Sequence, residues 1–233
     1  MAKKVYIAVG HGGGDPGAVA NGFKEKDLNL VTALSCRDEL VRHGVEVKID
    51  RTTDVELTMT ETVNACNAFA PDLAVDIHHN AGGGDGAEVF YSIYGGIGKT
   101  LAVNILDEIV KIGQNSRGAK TRKGESGSDY YGFIRRTTPP AVIVECAFLD
   151  HKTDVQIVDT EAEQKAMGVA IAKGILKTLG VAYKPEKAEG GQTTPGKLYR
   201  VQVGAYAVKS NAEAMKAKLK AAGYDAFIVE GKA

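Results

Sequence analysis

Short apolar segments that stop at glycine alternate along this chain with longer segments of helical periodicity, and that alternation limits the possible folds more than any other feature. Val5 to Val9 is β-branched and aromatic, runs into a glycine cluster, and is followed by an amphipathic stretch from about Glu25 to His43 closed by Gly44. Val45 to Asp50 alternates as a strand, a helix is predicted from about Leu57 to Ala70, and Pro71 stops it before a strand at Leu73 to His78. Further on, Ala87 to Ser92 reads as a strand, Ile97 to Gly113 as a helix, Pro140 to Phe148 as a buried strand, and Asp159 to Leu179 as a helix capped by Gly180. Strands alternating with helices imply an α/β fold: an open, mostly parallel sheet flanked by helices.

The stretch from Ala182 to Gly196 is rich in Pro, Gly, Thr and Lys and poor in large apolar residues, so it reads as a linker. It separates a predicted domain over residues 1–181 from a tail over residues 197–233. The tail reads as a strand (Leu198 to Ala205), a helix (about Ser210 to Ala222) and a strand (Tyr224 to Val229), a small C-terminal βαβ unit. At about 40 residues such a unit sits at the lower limit for independent folding, so it is expected to need a partner or more chain.

Lys and Arg total 29 and Asp and Glu total 29, so the formal charge is zero, which argues against a polybasic nucleic-acid binder. No apolar run approaches the roughly 20 residues needed to span a bilayer. The N-terminal Met1-Ala2-Lys3-Lys4 is basic, but the apolar stretch behind it stops at Gly10-His11 without a cleavage region, so no signal peptide is expected. Cys36, Cys66 and Cys146 form no Cys-x-x-Cys pair and read as buried apolar residues.

Chemistry-bearing residues collect at predicted strand ends. His11, in Gly10-His11-Gly12-Gly13-Gly14, sits where open α/β sheets bind ligands, and the glycine spacing fits neither a dinucleotide nor a P-loop fingerprint. His78 and His79 end another strand. They face opposite ways, so one of them at most points into a shared site. Two strand-end histidines beside glycine loops suggest a metal, and a metal hydrolase needs a third protein ligand. Glu25 is placed to supply it, although a carboxylate at a helix start is also satisfied by the helix dipole alone. Glu145 interrupts the apolar run Ala141 to Phe148. Burial would raise its pKa and suit it to general-base work. His43 is expected to stabilise a helix C-terminus and His151 to lie in a surface loop, while Ser126, Ser128 and the cysteines show no neighbouring base in sequence.

Taken together these motifs resemble the zinc-dependent N-acetylmuramoyl-L-alanine amidases of the type-3 amidase family, over about residues 4 to 180. Val9-Gly10-His11-Gly12-Gly13 through Asp15-Pro16-Gly17 resembles the first histidine loop, Glu25-Lys26-Asp27-Leu28-Asn29-Leu30 the helix start with a ligand glutamate, and Arg51-Thr52-Thr53-Asp54 the next turn. Ala70 to Ala81 is similar to the strand whose first histidine binds metal, which selects His78, and Pro140 to Leu149 to the strand with a catalytic glutamate. Three positions depart from the pattern: Asp76 stands where serine is usual, Thr62 where arginine is common, and Cys146-Ala147 where a small pair ending in glycine is usual.

The resemblance implies a phosphorylase/hydrolase-like α/β fold in which His11, Glu25 and His78 hold one Zn²⁺. Glu145 would act as general base in cleaving the amide between muramic acid and L-alanine in peptidoglycan. Asn80 and Arg135 or Arg136 are candidates for holding substrate, since guanidinium suits a stem-peptide carboxylate. The tail resembles the first half of a sporulation-related repeat, a wall-binding or dimerisation unit, so a homodimer is one expectation. A zinc peptidase cutting another stem-peptide bond and a noncatalytic wall-binding protein are the competing readings. Nucleic acid and membrane are not expected partners. With no export segment recognised, the expected setting is a protein made in the cytoplasm that meets the wall after release, as in a phage or prophage lysis protein, with a bacterial mother-cell lysin second.

Overall fold

The computed structural model describes residues 2–185, 204–221 and 226–229. The chain divides into two compact units, Met1–Pro185 and Glu186–Ala233.

In the first unit a six-stranded sheet is built from β1 (Lys4–Val9), β4 (Glu46–Ile49), β5 (Leu73–Asn80), β6 (Ala87–Tyr91), β7 (Ser116–Lys120) and β8 (Ala141–Phe148), in the order β4-β1-β5-β8-β6-β7. All pairings are parallel except β6 with β8. Strands β1, β5 and β8 therefore end at one edge of the sheet, and antiparallel β6 begins there. A two-residue hairpin, β2 (Val19–Ala20) with β3 (Phe23–Lys24), leads into α1 (Glu25–Arg42). The other helices are α2 (Met59–Phe69), α3 (Ile97–Lys111), α4 (Gly132–Arg136) and α5 (Glu161–Leu179).

Two apolar layers follow from strand alternation. Val5, Ile7, Val75, Ile77, Val142 and Val144 face α1, α3 and α5, where they meet buried Leu40, Ile105, Met167 and Ile171. Helix α5 approaches its neighbours so closely that a Cβ on Gly168 would strike α1 at Thr32 and one on Gly174 would strike α3 at Ile105. The opposite face carries Tyr6, Ala8, Ala74, Ala141 and Ile143 under α2 and α4, with Cys66 and Phe133. Capping boxes start α2 (Thr58 with Glu61) and α5 (Thr160 with Glu163), which places their first turns one or two residues later than the periodicity suggests.

Register fixes which residues share the second face. Across the sheet, Ala8 pairs with Asp76, Asp76 with Ile143, and Phe90 with Ile143; one step further toward the strand ends, His78 pairs with Glu145 and Glu145 with Glu88. His78, Glu145 and Glu88 thus form a row on one face at the sheet edge where α/β folds bind ligands.

In the second unit α6 (Lys209–Ala221) has Ala212, Met215 and Leu219 half-buried at helical spacing on an otherwise exposed surface. Most of the tail strand predicted at Leu198 to Ala205, and Tyr224 and Asp225 of the second, lie outside the described residues; residues 226–229 are described and carry no strand pairing.

Candidate metal centre

The loop after β1 bends sharply: His11 adopts a left-handed backbone, φ 61°, unusual for a residue with a side chain. Several contacts hold it there. Gly12 and Asp15 exchange backbone hydrogen bonds at 2.9 and 3.0 Å. The Gly10 carbonyl accepts from Asn29 Nδ2 (2.9 Å) and from Arg51 Nη2 (3.1 Å). Arg51 is buried and also donates to the carbonyls of Val9, Thr53 and Lys26, so one guanidinium ties the loop to the start of α1. Lys26 reaches back to the Gly13 carbonyl and to Asp54.

This bracing aims the His11 ring. Its Nδ1 pairs with Asp15 Oδ2 at 2.7 Å, leaving Nε2 3.2 Å from Glu25 Oε2. Glu25 begins α1, where the helix N-terminus favours negative charge, and it is only 4% exposed. Its Oε2 accepts from the Ala18 N–H at 2.9 Å, and its Oε1 from the His79 N–H at 3.2 Å and from Asn29 at 3.3 Å. Burial alone would raise its pKa, but the hydrogen bonds from His11 and His78 outweigh that and hold the carboxyl well below the usual range.

His78 approaches the same carboxylate from β5, with Nδ1 2.9 Å from Glu25 Oε1. Its Nε2 lies 3.3 Å from Asp76 Oδ1, two residues back on the same strand face. A Cβ on Gly10 would occupy the space of the His78 ring, so only glycine lets β1 and β5 end side by side here. His79 points the other way. Its Nδ1 meets Asn29 Oδ1 at 2.7 Å, and burial lowers its pKa to about 4, keeping it neutral.

Two imidazole nitrogens therefore converge on the two oxygens of one buried carboxylate, and the ligand atoms of His11, Glu25 and His78 lie within 4.8 Å of one another. Each imidazole has its far nitrogen against a second carboxylate, Asp15 or Asp76, the arrangement that fixes histidine orientation at metal sites. Beside them Glu145 Oε2 is buried without a hydrogen-bond partner among the described residues. Burial, reinforced by the charges of Glu25, Asp76 and Glu88 against the opposing pull of His78, raises the Glu145 pKa to about 7.

The predicted substrate-holding residues have polar partners within the fold. Asn80 donates to Glu88 Oε1 at 3.0 Å and accepts from the Ala81 N–H at 2.8 Å. Arg135 Nη1 donates to the Asp129 and Tyr130 carbonyls at 2.7 and 2.8 Å, and Arg136 donates to Thr60 Oγ1 at 3.0 Å. Glu88 accepts from Arg117 at 2.9 Å and from Lys120. His43 ends α1, with Nδ1 2.8 Å from the Glu39 carbonyl, and half-buried His151 stays in its loop, its Nδ1 accepting from the Asp154 N–H at 3.3 Å. Ser126 and Ser128 hydrogen-bond to each other, and the three cysteines are buried and free. Asp15 and Arg51 hold the site through contacts that the sequence motifs did not identify.

Residues 5–177 match the N-acetylmuramoyl-L-alanine amidase family. The chain belongs to that family. Residues 192–233 match the SPOR domain. The amidase is 35% identical over 97% of its length to the N-acetylmuramoyl-L-alanine amidase CwlM of Bacillus licheniformis, covering 84% of that protein. It is 32% identical, again over 97% of its length and 84% of the relative, to the sporulation-specific N-acetylmuramoyl-L-alanine amidase of Bacillus subtilis. Among solved structures, the catalytic domain of CwlV, an N-acetylmuramoyl-L-alanine amidase from Bacillus (Paenibacillus) polymyxa var. colistinus, superposes with a TM-score of 0.69 at 29% identity. That match covers 77% of this chain and 99% of the other. The amidase hydrolyses the bond between N-acetylmuramic acid and L-alanine in peptidoglycan.

Two departures from the family pattern, Thr62 and Asp76, both act on Asp50 in this amidase. Thr62 donates to Asp50 Oδ2 at 3.2 Å, and the Asp50 pKa rises to about 7 through burial and the nearby charge of Asp76. The folded state therefore keeps a proton that the unfolded chain releases near pH 4, so stability falls as pH rises from about 4 through 7. Asp50→Asn keeps an acceptor for the Val9 N–H, which now donates to Asp50 Oδ1, and removes that penalty. We expect it to raise stability at pH 8 by on the order of 1 kcal/mol and to leave it nearly unchanged at pH 4.5. Thermal melts of parent and variant at the two pH values check this; an equal shift at both would contradict it.

Proposed function

We propose that His11, Glu25 and His78 hold one zinc ion and that Glu145 is the general base of the amidase. The observation that carries this reading is the convergence of both imidazoles on buried Glu25, with Glu145 next to His78 in register. Two neutral imidazoles and one carboxylate suit Zn²⁺ and leave a fourth position open, as a hydrolytic site requires. When bound, the ion supplies Lewis acidity, drawing the pKa of water toward ~7 and polarising the scissile carbonyl.

The chain's own residues supply the rest. Glu145 takes a proton from the attacking water and returns it to the departing nitrogen of L-alanine, and a pKa near 7 suits both transfers. Glu25 and the Glu145 Oε2 are buried, and charge interactions at such positions are stronger than in water. Asp15 and Asp76 keep the two imidazoles turned so that their near nitrogens face Glu25.

Mass spectrometry of digested peptidoglycan tests this, with and without chelator. New L-alanine amino termini on otherwise intact stem peptides, lost on chelation, support it; cuts within the stem peptide would favour the zinc-peptidase reading. A noncatalytic wall binder would release neither.

The domain plan belongs to the same proposal: residues 1–181 as catalytic domain, 182–196 as linker, and 197–233 as a sporulation-related unit that binds glycan or pairs two chains. The expected homodimer is read by the mass in solution; a monomer in which the tail is folded would remove it. Among the described residues no helix is long and apolar enough to cross a membrane. The phage or prophage lysis role is the setting expected from the sequence. The sporulation-specific relative, which matches nearly the whole chain, favours a mother-cell lysin as the second reading. Expression that follows prophage induction supports the first, and expression confined to sporulating cells the second.

A further inference from the structure

The sheet face at the metal centre is acidic. Glu25, Asp76 and Glu145 lie on it or at its edge, and Asp15 backs His11. A substrate whose stem peptide carries carboxylates therefore needs a cation close to this face, and most of the nearby cations are engaged. Arg117 and Lys120 both donate to Glu88, Arg135 clasps two carbonyls, Arg136 reaches Thr60, and Arg51 is buried beneath the His11 loop.

Arg122 differs. Its guanidinium carbon lies 3.7 Å over the Tyr130 ring centroid and 5.9 Å from that of Tyr131, whose hydroxyl it hydrogen-bonds, and among the described residues no carboxylate pairs with it. Stacking holds a guanidinium by its flat face and leaves in-plane N–H groups to point outward, the donor fork that binds a carboxylate. Hydrogen bonds brace the platform. Tyr130 N donates to the Arg122 carbonyl at 2.9 Å, the backbones of Lys123 and Asp129 form an isolated antiparallel β-bridge, and the Asp129 carboxylate accepts from Ser92 Oγ and the Ile93 N–H at 2.8 and 2.7 Å. Arg135 clasps the same turn from below.

The platform also sits over the catalytic face. Tyr131 packs on Phe90 with ring centroids 4.8 Å apart. Phe90 lies two residues along β6 from Glu88, on the same face, and Glu88 is the cross-strand neighbour of Glu145. We propose that Arg122, stacked on Tyr130 and hydrogen-bonded to Tyr131, is the subsite for a stem-peptide carboxylate of this amidase. It takes the role that the sequence suggested for Arg135 or Arg136. The inference rests on Glu145 marking the reaction centre.

The test uses the full-length, metal-loaded protein and two muramoyl tripeptides that differ only in the α-group of the second residue, free carboxylate or carboxamide. We expect the parent to prefer the carboxylate by about tenfold in kcat/KM, carried by KM. Arg122→Ala should bring that ratio close to one, and Arg122→Lys should restore part of it. A ratio that Arg122→Ala leaves unchanged, or a fall in kcat of equal size on both substrates, would overturn the subsite. Failure of the parent to release peptide from either substrate would instead count against the amidase chemistry, and the subsite would fall with it.

Discussion

Glu145→Gln is expected to lose hydrolysis by about a hundredfold to ten-thousandfold while the protein keeps its bound metal, the range that general acid–base catalysis contributes. The two side chains are nearly the same shape, and Glu145 Oε2 has no hydrogen-bond partner to lose among the described residues. Burial that lifts the carboxyl pKa to about 7 costs stability when the group ionises, so a neutral amide is expected to leave the fold at least as stable near pH 8. The measurement pairs turbidity loss of cell walls with metal content and a thermal melt. A variant that clears walls near the parent rate would remove Glu145 from the chemistry. One that loses metal together with activity would make it a ligand rather than a base.

His11→Ala should produce a different pattern, losing metal and activity together. Its ring nitrogen lies 3.2 Å from Glu25, and the Asp15 contact and loop bracing turn it there. Removing it leaves a carboxylate and one imidazole, a donor set too small for a structural or hydrolytic zinc site. Because a metal that binds only the folded state stabilises it by mass action, added Zn²⁺ should raise the parent's melting temperature, and a concentration 100 times Kd adds about 2.7 kcal/mol. We expect that shift to vanish in His11→Ala. An undiminished zinc shift in the variant would mean that the ion binds elsewhere.

The α/β plan was legible because β-branched runs such as Val5 to Val9 and Ala141 to Phe148 contrast with the longer α1 and α5, whose buried residues recur at helical spacing although in α1 several of them are polar. What the sequence hid has physical causes. Strand β7, Ser116–Lys120, carries Arg117 and Lys120 and no apolar run, because it is an edge strand whose side chains meet Glu88 and solvent. The reversed direction of β6 leaves no mark on its composition. At the site, alternation along β5 separated His78 from His79, but only the fold brings Glu25 against His78, 53 residues away in sequence, as well as against nearby His11. Arg135 was named as a candidate for a substrate carboxylate; that its Nη1 donates to the carbonyls of Asp129 and Tyr130 is something no side-chain pattern announces. Arg51 was visible only as part of a motif. Its role of binding four backbone carbonyls appears once the loops are folded together.

The most direct test is to strip the purified protein with chelator and titrate Zn²⁺ back while following release of peptide from muramoyl–L-alanine bonds. Recovery that is complete at one ion per catalytic domain, with no turnover beforehand, is the predicted result. Full turnover by the stripped protein, or indifference to the added ion, would contradict the account.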